Sequence, residues 1–137
     1  TTQAQILDLL RELQQQNGLT ILLITHDLGV IAEMTDDVVV MYLGQVVESA
    51  PVDDIFHAPK HPYTRALLRS IPRMQSDTGD RLASIAGSVP HPYARPSGCP
   101  FHPRCPSFIA GTCDLRAPTF LSVEPNHMAS CFLYEGG

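Results

Sequence analysis

Four cysteines and one histidine are the side chains of this sequence whose type and placement could do chemistry. The cysteines stand as Cys99-x5-Cys105-x7-Cys113-x17-Cys131, inside a 33-residue window otherwise poor in core-forming side chains. A loop-rich segment this small needs a staple, whether disulfide or metal. Structural zinc suits four thiolates, but its usual ligand pairs are two to four residues apart, and no gap here is that short. An iron–sulfur cluster takes ligands from separated loops, and the Cys99-Pro100 and Cys105-Pro106 steps keep the backbone out of helix around the sulfurs. Spacing alone does not choose among the three. The histidine is His26, directly after the apolar run Thr20–Thr25. At the carboxyl end of a strand, an imidazole can donate a hydrogen bond to an oxyanion such as phosphate, or move a proton near neutral pH. The plain alternative is a histidine that merely caps the strand or the following helix.

The surrounding chain narrows these options. Its 137 residues carry a formal net charge of −5, which argues against a nucleic-acid module built on pairing basic side chains with phosphates. The charge is divided: residues 1–56 hold nine acids against Arg11 alone, whereas residues 57–137 hold eight bases and five acids. All 12 prolines lie at or after Pro51. No apolar run approaches the ~20 residues of a membrane-spanning helix. The first 25 residues, with Arg11 as their one basic side chain, do not read as a signal peptide. The chain opens within a helical pattern, which reads as a fragment.

The elements that must position the candidate residues follow from periodicity. Ile6, Leu9, Leu10 and Leu13 recur at helical spacing and predict a helix over residues 3–16 with one buried face, ended by Asn17-Gly18. Thr20–Thr25 is apolar without alternation, as in a strand of a parallel sheet covered on both faces. Asp27 is placed to cap a short helix Leu28–Met34. Asp37–Leu43 reads as a second buried strand, Gly44-Gln45 as a tight turn into Val46-Val47-Glu48, and Val52–Phe56 as a short helix. In residues 57–71, Tyr63, Ala66, Leu67 and Ile71 fall on one helix face, and Pro62 is tolerated in its first turn. Arg65, Arg69 and Arg73 form a basic stripe that reads as a solvated face. Met74–Asp80 reads as a linker, and the proline-dense stretch Ser88–Pro106 as an extended, loop-rich path. His91-Pro92-Tyr93 echoes His61-Pro62-Tyr63, but three residues do not make a repeat.

Two stretches carry a resemblance. Thr20–Leu28, with His26-Asp27, followed by Asp36–Glu48, resembles the region around the switch histidine of ABC transporter ATPases and that family's strand hairpin. His57–Pro72, with its His61-Pro62-Tyr63-Thr64, resembles the region that marks the oligopeptide and dipeptide branch. The resemblance implies an α/β fold: part of the ABC-ATPase parallel sheet with helices over residues 1–56, then a small loop-rich, cysteine-containing carboxyl-terminal lobe over residues 57–137. It also implies the energy-coupling ATPase of a peptide importer, on the cytoplasmic face of the membrane. Expected partners are a second ATP-binding subunit, transmembrane permease subunits and, indirectly, a peptide-binding protein.

Family ATPases hold ATP and Mg with a loop of the form G-x-x-x-x-G-K-[ST]. That pattern is absent here, and Lys60 is the one lysine. The chain therefore reads as the carboxyl-terminal part of such a subunit, inactive alone, with His26 assigned by resemblance to the γ-phosphate of the complete enzyme. His57 and His61 read as loop or helix-entry residues. Having lost the rest of its sheet, the chain is expected to self-associate. The cysteine segment, Pro96–Pro106 with Cys113 and His127–Cys131, resembles the motif with which some peptide-transporter ATPases hold a [4Fe–4S] cluster. By that resemblance Cys99, Cys105, Cys113 and Cys131 are ligands, with zinc as the alternative, and a reducing cytosol disfavours disulfides. His102 and His127 read as donors behind the thiolates or as surface residues, and Arg104 as a charge offsetting them. A self-standing metal-binding interaction module is the competing function.

Overall fold

The structure is a computed structural model that describes residues 1–71 and 84–136. The expected linker Met74–Asp80 lies outside the described residues. The chain divides into two compact units, residues 1–36 and 37–137.

The first unit is helical. Helix α1 (Thr2–Asn17) starts where the Thr1 hydroxyl accepts the Ala4 amide, and it ends at Gly18 in the left-handed conformation, φ 64°. Helix α2 (Leu28–Met34) is capped by Asp27, whose Oδ1 accepts the amides of Gly29 and Val30. Arg11 ties the helices together by donating to the Glu33 carbonyl at 3.1 Å. Two expectations are corrected here. The apolar stripe of α1 is not buried, and Ile6 and Leu9 are each 54% exposed. Thr20–Thr25 is not a strand: no residue among those described pairs with it, and Leu22 and Ile24 stand 87% and 90% exposed. An unalternating apolar run becomes a parallel strand only when neighbours satisfy its backbone and cover both faces.

The second unit is built on a sheet of four antiparallel strands, in the order β1-β2-β4-β3: β1 Asp37–Tyr42, β2 Gln45–Pro51, β3 Phe120–Glu124 and β4 His127–Ser130. The parallel sheet expected from sequence is thus replaced by antiparallel pairing throughout the described residues. Strand β1 alternates outward and inward, burying Val38, Val40 and Tyr42. The turn to β2 is Leu43-Gly44, one residue earlier than expected, with φ 48° and 75°. Positive φ at both central residues is what a two-residue hairpin turn requires.

Strand β2 does not alternate. Val40 pairs with Glu48 but Met41 with Val46, so Val47 is an extra residue. This bulge turns both Val47 and Glu48 inward. Two short helices follow, α3 (Val52–His57) and α4 (Pro62–Arg69). Their Ile55 and Ala66 join Ala50, Ala129, Phe101 and Phe132 in the core. Strands β3 and β4, unforeseen from the sequence, complete the sheet.

Candidate functional site

The loops between α4 and β3 carry Cys99, Cys105 and Cys113 to the place where Cys131 follows β4. Cys99, Cys105, Cys113 and Cys131 line a single small cavity of about 20 Å³, closed by His61, Phe101, Ile109 and Phe132 among others. That is room for about one water molecule. The backbone builds the site from tight turns. The carbonyls of Cys99, Cys105 and Cys131 each accept an amide three residues on, from His102 at 3.0 Å, Phe108 at 3.3 Å and Tyr134 at 3.2 Å. Such turns aim intervening amides back at the sulfur. The N–H groups of Phe101 and His102 favour the Cys99 thiolate, that of Ser107 favours Cys105 and that of Leu133 favours Cys131.

Burial opposes them and dominates, holding all three thiols above their ordinary range and pushing Cys131 up to about 11. The other cysteines add to this, since each of the three is disfavoured as an anion by at least one of its neighbours. A cationic centre among the sulfurs would reverse both effects. Cys113 enters through a backbone bond, its carbonyl accepting the Cys99 amide at 2.8 Å. This close approach rests on Gly98, at φ 71°, where an added Cβ would lie 2.3 Å from the Cys113 oxygen. All four cysteines are free thiols. No three of the His, Cys, Asp and Glu side chains among the described residues converge tightly enough to hold a single metal ion. Four zinc–sulfur bonds of ~2.3 Å would need sulfurs only about 3.8 Å apart. The donor set is four free thiols around one small chamber.

The His-Pro-Tyr segment forms one wall of this chamber. His61 is the N-cap of α4: its Nδ1 accepts the Tyr63 amide at 3.0 Å, and Pro62 occupies the first helical position, where its missing N–H costs nothing. Tyr42, Tyr63 and Phe101 pack with centroids 4.7–5.4 Å apart, Tyr42 and Phe101 edge to face and Tyr63 tilted against both. His91 repeats the local cap on Tyr93, at 3.3 Å, but on the surface, where Tyr93 is 95% exposed.

Burial holds the His61 imidazole down to about 4, overcoming the opposing attraction of Glu48. Between that value and the ordinary 6.5, the unfolded chain binds a proton that the folded chain excludes. The contribution is complete above pH 6.5 and is lost as pH falls, by about 3 kcal/mol in all. Thermal melting of the metal-free chain at pH 7.5 and 5 is expected to show this loss. In His61→Asn, which keeps a capping oxygen, the loss should shrink. Equal pH dependence in the two proteins would remove His61 as its source.

Behind this wall lies a buried cluster that sequence reasoning missed. Glu48 has no exposed surface, and its carboxylate accepts the Lys60 amide at 2.7 Å, the His61 amide at 2.9 Å and His127 Nε2 at 2.6 Å. Strand β2, the approach to α4 and strand β4 are thereby joined at one side chain. The only sequence signal was an acid set in an apolar run, which alternation would have placed outside.

His127 is fully turned toward Glu48, not among the lining residues of the cysteine chamber. His102 does line the chamber, its Nδ1 lying 2.9 Å from the Cys99 carbonyl, and it stacks on Phe108. Arg104 donates to the Ala86 carbonyl and the Tyr42 hydroxyl, which fixes its guanidinium on the loop side. At the surface Lys60 pairs with Glu124 at 2.6 Å, and Tyr134 donates to the Lys60 carbonyl while accepting from Arg65. His26 is exposed at the end of the extended segment, immediately before the Asp27 cap of α2. It belongs to the other compact unit from the cysteines.

Residues 47–113, which include the His-Pro-Tyr cap and three of the four cysteines, match the family model described as the oligopeptide/dipeptide transporter, C-terminal region. Across nearly its whole length the chain is similar to curated ATP-binding proteins of peptide transport. It is 50% identical over 135 residues to the oligopeptide transport ATP-binding protein AppD of Bacillus subtilis, covering 98% of this chain and 40% of that protein. It is 47% identical over 131 residues to the dipeptide transport ATP-binding protein DppD of Escherichia coli, covering 96% and 39%. A putative peptide import ATP-binding protein of Brucella ovis is 46% identical over 140 residues, covering 98% and 41%. The chain thus spans about two fifths of the length of these relatives.

Proposed function

We propose that this chain works within the ATP-binding subunit of an ABC importer of peptides, coupling ATP hydrolysis to uptake. The observation that carries this reading is the family match over residues 47–113, the segment in which His61 caps α4 and three of the four chamber cysteines lie. ATP and Mg belong to the complete subunit, whose partners are a second ATP-binding subunit and transmembrane permease subunits, reached at the cytoplasmic face of the membrane. No helix among the described residues is long and apolar enough to cross it. The chain by itself carries no G-x-x-x-x-G-K-[ST] loop, so it is expected to be inactive alone.

Within the complete subunit His26 is the residue assigned to the γ-phosphate. Its exposure at the end of an extended segment supports that role, because the imidazole is open to a ligand and its backbone is fixed by the Asp27 cap. A group that positions and stabilises charge acts mainly in the transition state. His26→Ala in the full-length subunit is expected to lower ATP turnover by roughly 10²–10³-fold while nucleotide affinity changes little. Turnover at the wild-type rate in that variant would remove His26 from the site.

For the cysteine chamber we propose a [4Fe–4S] centre held by Cys99, Cys105, Cys113 and Cys131, with structural zinc as the competing occupant. Four thiols around one chamber, turn amides aimed at three of the sulfurs and apolar walls support it. When bound, such a centre would supply a covalent cross-link among four loops. The chain's contribution is to present thiolates and exclude solvent. Protein produced and purified anaerobically with iron and sulfide supplied is expected to be brown, with iron and acid-labile sulfide in comparable amounts, and each Cys→Ser change should weaken the colour. Zinc without sulfide would support the competing occupant. A colourless protein whose four thiols all react freely would end both readings.

A second reading, a metal-stabilised interaction lobe, is favoured by one observation: residues 37–137 form a compact unit that contains every cysteine.

A further inference from the structure

Cys105 differs from the other three cysteines in what it faces. It lines the closed chamber, and it also lines an open groove of about 580 Å³, which none of the others touches. Along the groove stand Arg69 at the end of α4, the segment Ser84–Gly87, and Arg104 beside Pro103. Among the described residues that line it are two guanidiniums and no carboxylate. Arg104 is fixed by its bonds to the Ala86 carbonyl at 3.0 Å and the Tyr42 hydroxyl at 3.3 Å, so its charge cannot swing away. Arg69 is exposed at the helix end. A concave surface lined by one sign of charge concentrates counter-ions and raises their rate of encounter.

We propose that this groove is the access route to the cysteine chamber, and that it selects small anionic thiols, which meet the chamber first at Cys105. The inference deepens the single-centre reading of the cysteines, since a thiolate-held centre must be built and dismantled by sulfur compounds that reach it. The selectivity itself belongs to the chain and can be measured without metal.

The test uses the reduced, metal-free full chain and two disulfide probes, a dianionic bis-nitrobenzoate disulfide and an uncharged dipyridyl disulfide. In either reaction the Cys105 thiolate attacks one probe sulfur and a protein–probe disulfide forms. The probe's own S–S bond breaks, the expelled aromatic thiolate leaves with the electron pair, and the cysteine proton passes to buffer. With limiting dianionic probe, peptide mapping is expected to find Cys105 labelled first, roughly tenfold ahead of Cys99, Cys113 and Cys131. Arg69→Ala should slow the dianionic probe several-fold and leave the uncharged probe unchanged, and added salt should act in the same direction. Labelling of another cysteine first, or equal slowing of both probes by Arg69→Ala, would overturn the proposal. If Cys105 keeps its priority but prior loading with iron and sulfide protects none of the four thiols, the groove stands and the single-centre reading fails.

Discussion

Glu48→Ala is expected to destabilise the lobe of residues 37–137 by about 4 kcal/mol, because it leaves a buried imidazole and two amides, one buried and one half-buried, without their acceptor. Those groups are His127 Nε2 and the amides of Lys60 and His61, all within 2.9 Å of the carboxylate. For a unit of this size the loss corresponds to a fall in melting temperature of roughly 15–30 °C. Glu48→Gln keeps one acceptor and the side-chain volume, and should fall between alanine and wild type. Glu124→Ala is the control, because it removes the exposed ion pair to Lys60, and solvent-screened pairs contribute little. Thermal and urea unfolding followed by circular dichroism checks the series. A Glu48→Ala protein melting within a few degrees of wild type would mean that the three donors find other partners.

Gly98→Ala is expected to do comparable damage at the other end of the lobe, by steric means alone. The added Cβ would meet the Cys113 carbonyl oxygen at 2.3 Å and the Asp114 carbonyl carbon at 2.8 Å, both backbone atoms that no side-chain rotation can remove. The backbone there also has φ 71°, a region that costs a non-glycine residue roughly 1–2 kcal/mol before any clash. The Cys99–Cys113 backbone bond must open to relieve the contact, so a total of about 3 kcal/mol is expected. The four thiols should then lose their common protection and react with a neutral thiol reagent at markedly faster rates. Gly111, also at positive φ but with nothing within 4 Å of a built Cβ, supplies the comparison. If Gly98→Ala and Gly111→Ala melt alike, the close approach is not what holds the chamber.

Local chemistry was legible in the sequence. The Asn17-Gly18 stop, the Asp27 cap, and Pro62 in the first turn of α4 all follow from interactions spanning four residues or fewer, and the structure has each of them. Pairing at a distance was not. Thr20–Thr25 has a strand's composition, yet an apolar run cannot declare whether anything will lie beside it. Strands β3 and β4 are short, and β4 owes its place to β2, more than 75 residues away. Glu48 was hidden by a bulge: one extra residue in β2 reverses the alternation on which a sequence reading depends. The cysteines were legible as a set but not as a geometry, since their spacing says nothing of the turns that bring three carbonyls and their amides around the sulfurs. The sequence could not reveal that His127 serves Glu48 and His102 the chamber, because both histidines lie within four residues of a cysteine along the chain.

The strand order β1-β2-β4-β3 also bears on how the protein comes into being. The bond between Glu48 and His127 spans 79 residues, and closing a loop of that length costs about 4 kcal/mol of chain entropy beyond a constant term. The Lys60 and His61 amides lie nearer in the chain and can bind the carboxylate early, whereas at ~5–20 residues per second His127 follows Glu48 by roughly 4–16 s, during which the carboxylate lacks its third partner. Cys131 follows β4 immediately. The strand that closes the sheet and the last of the four sulfurs therefore arrive together, and the chamber can be completed only once both have been made.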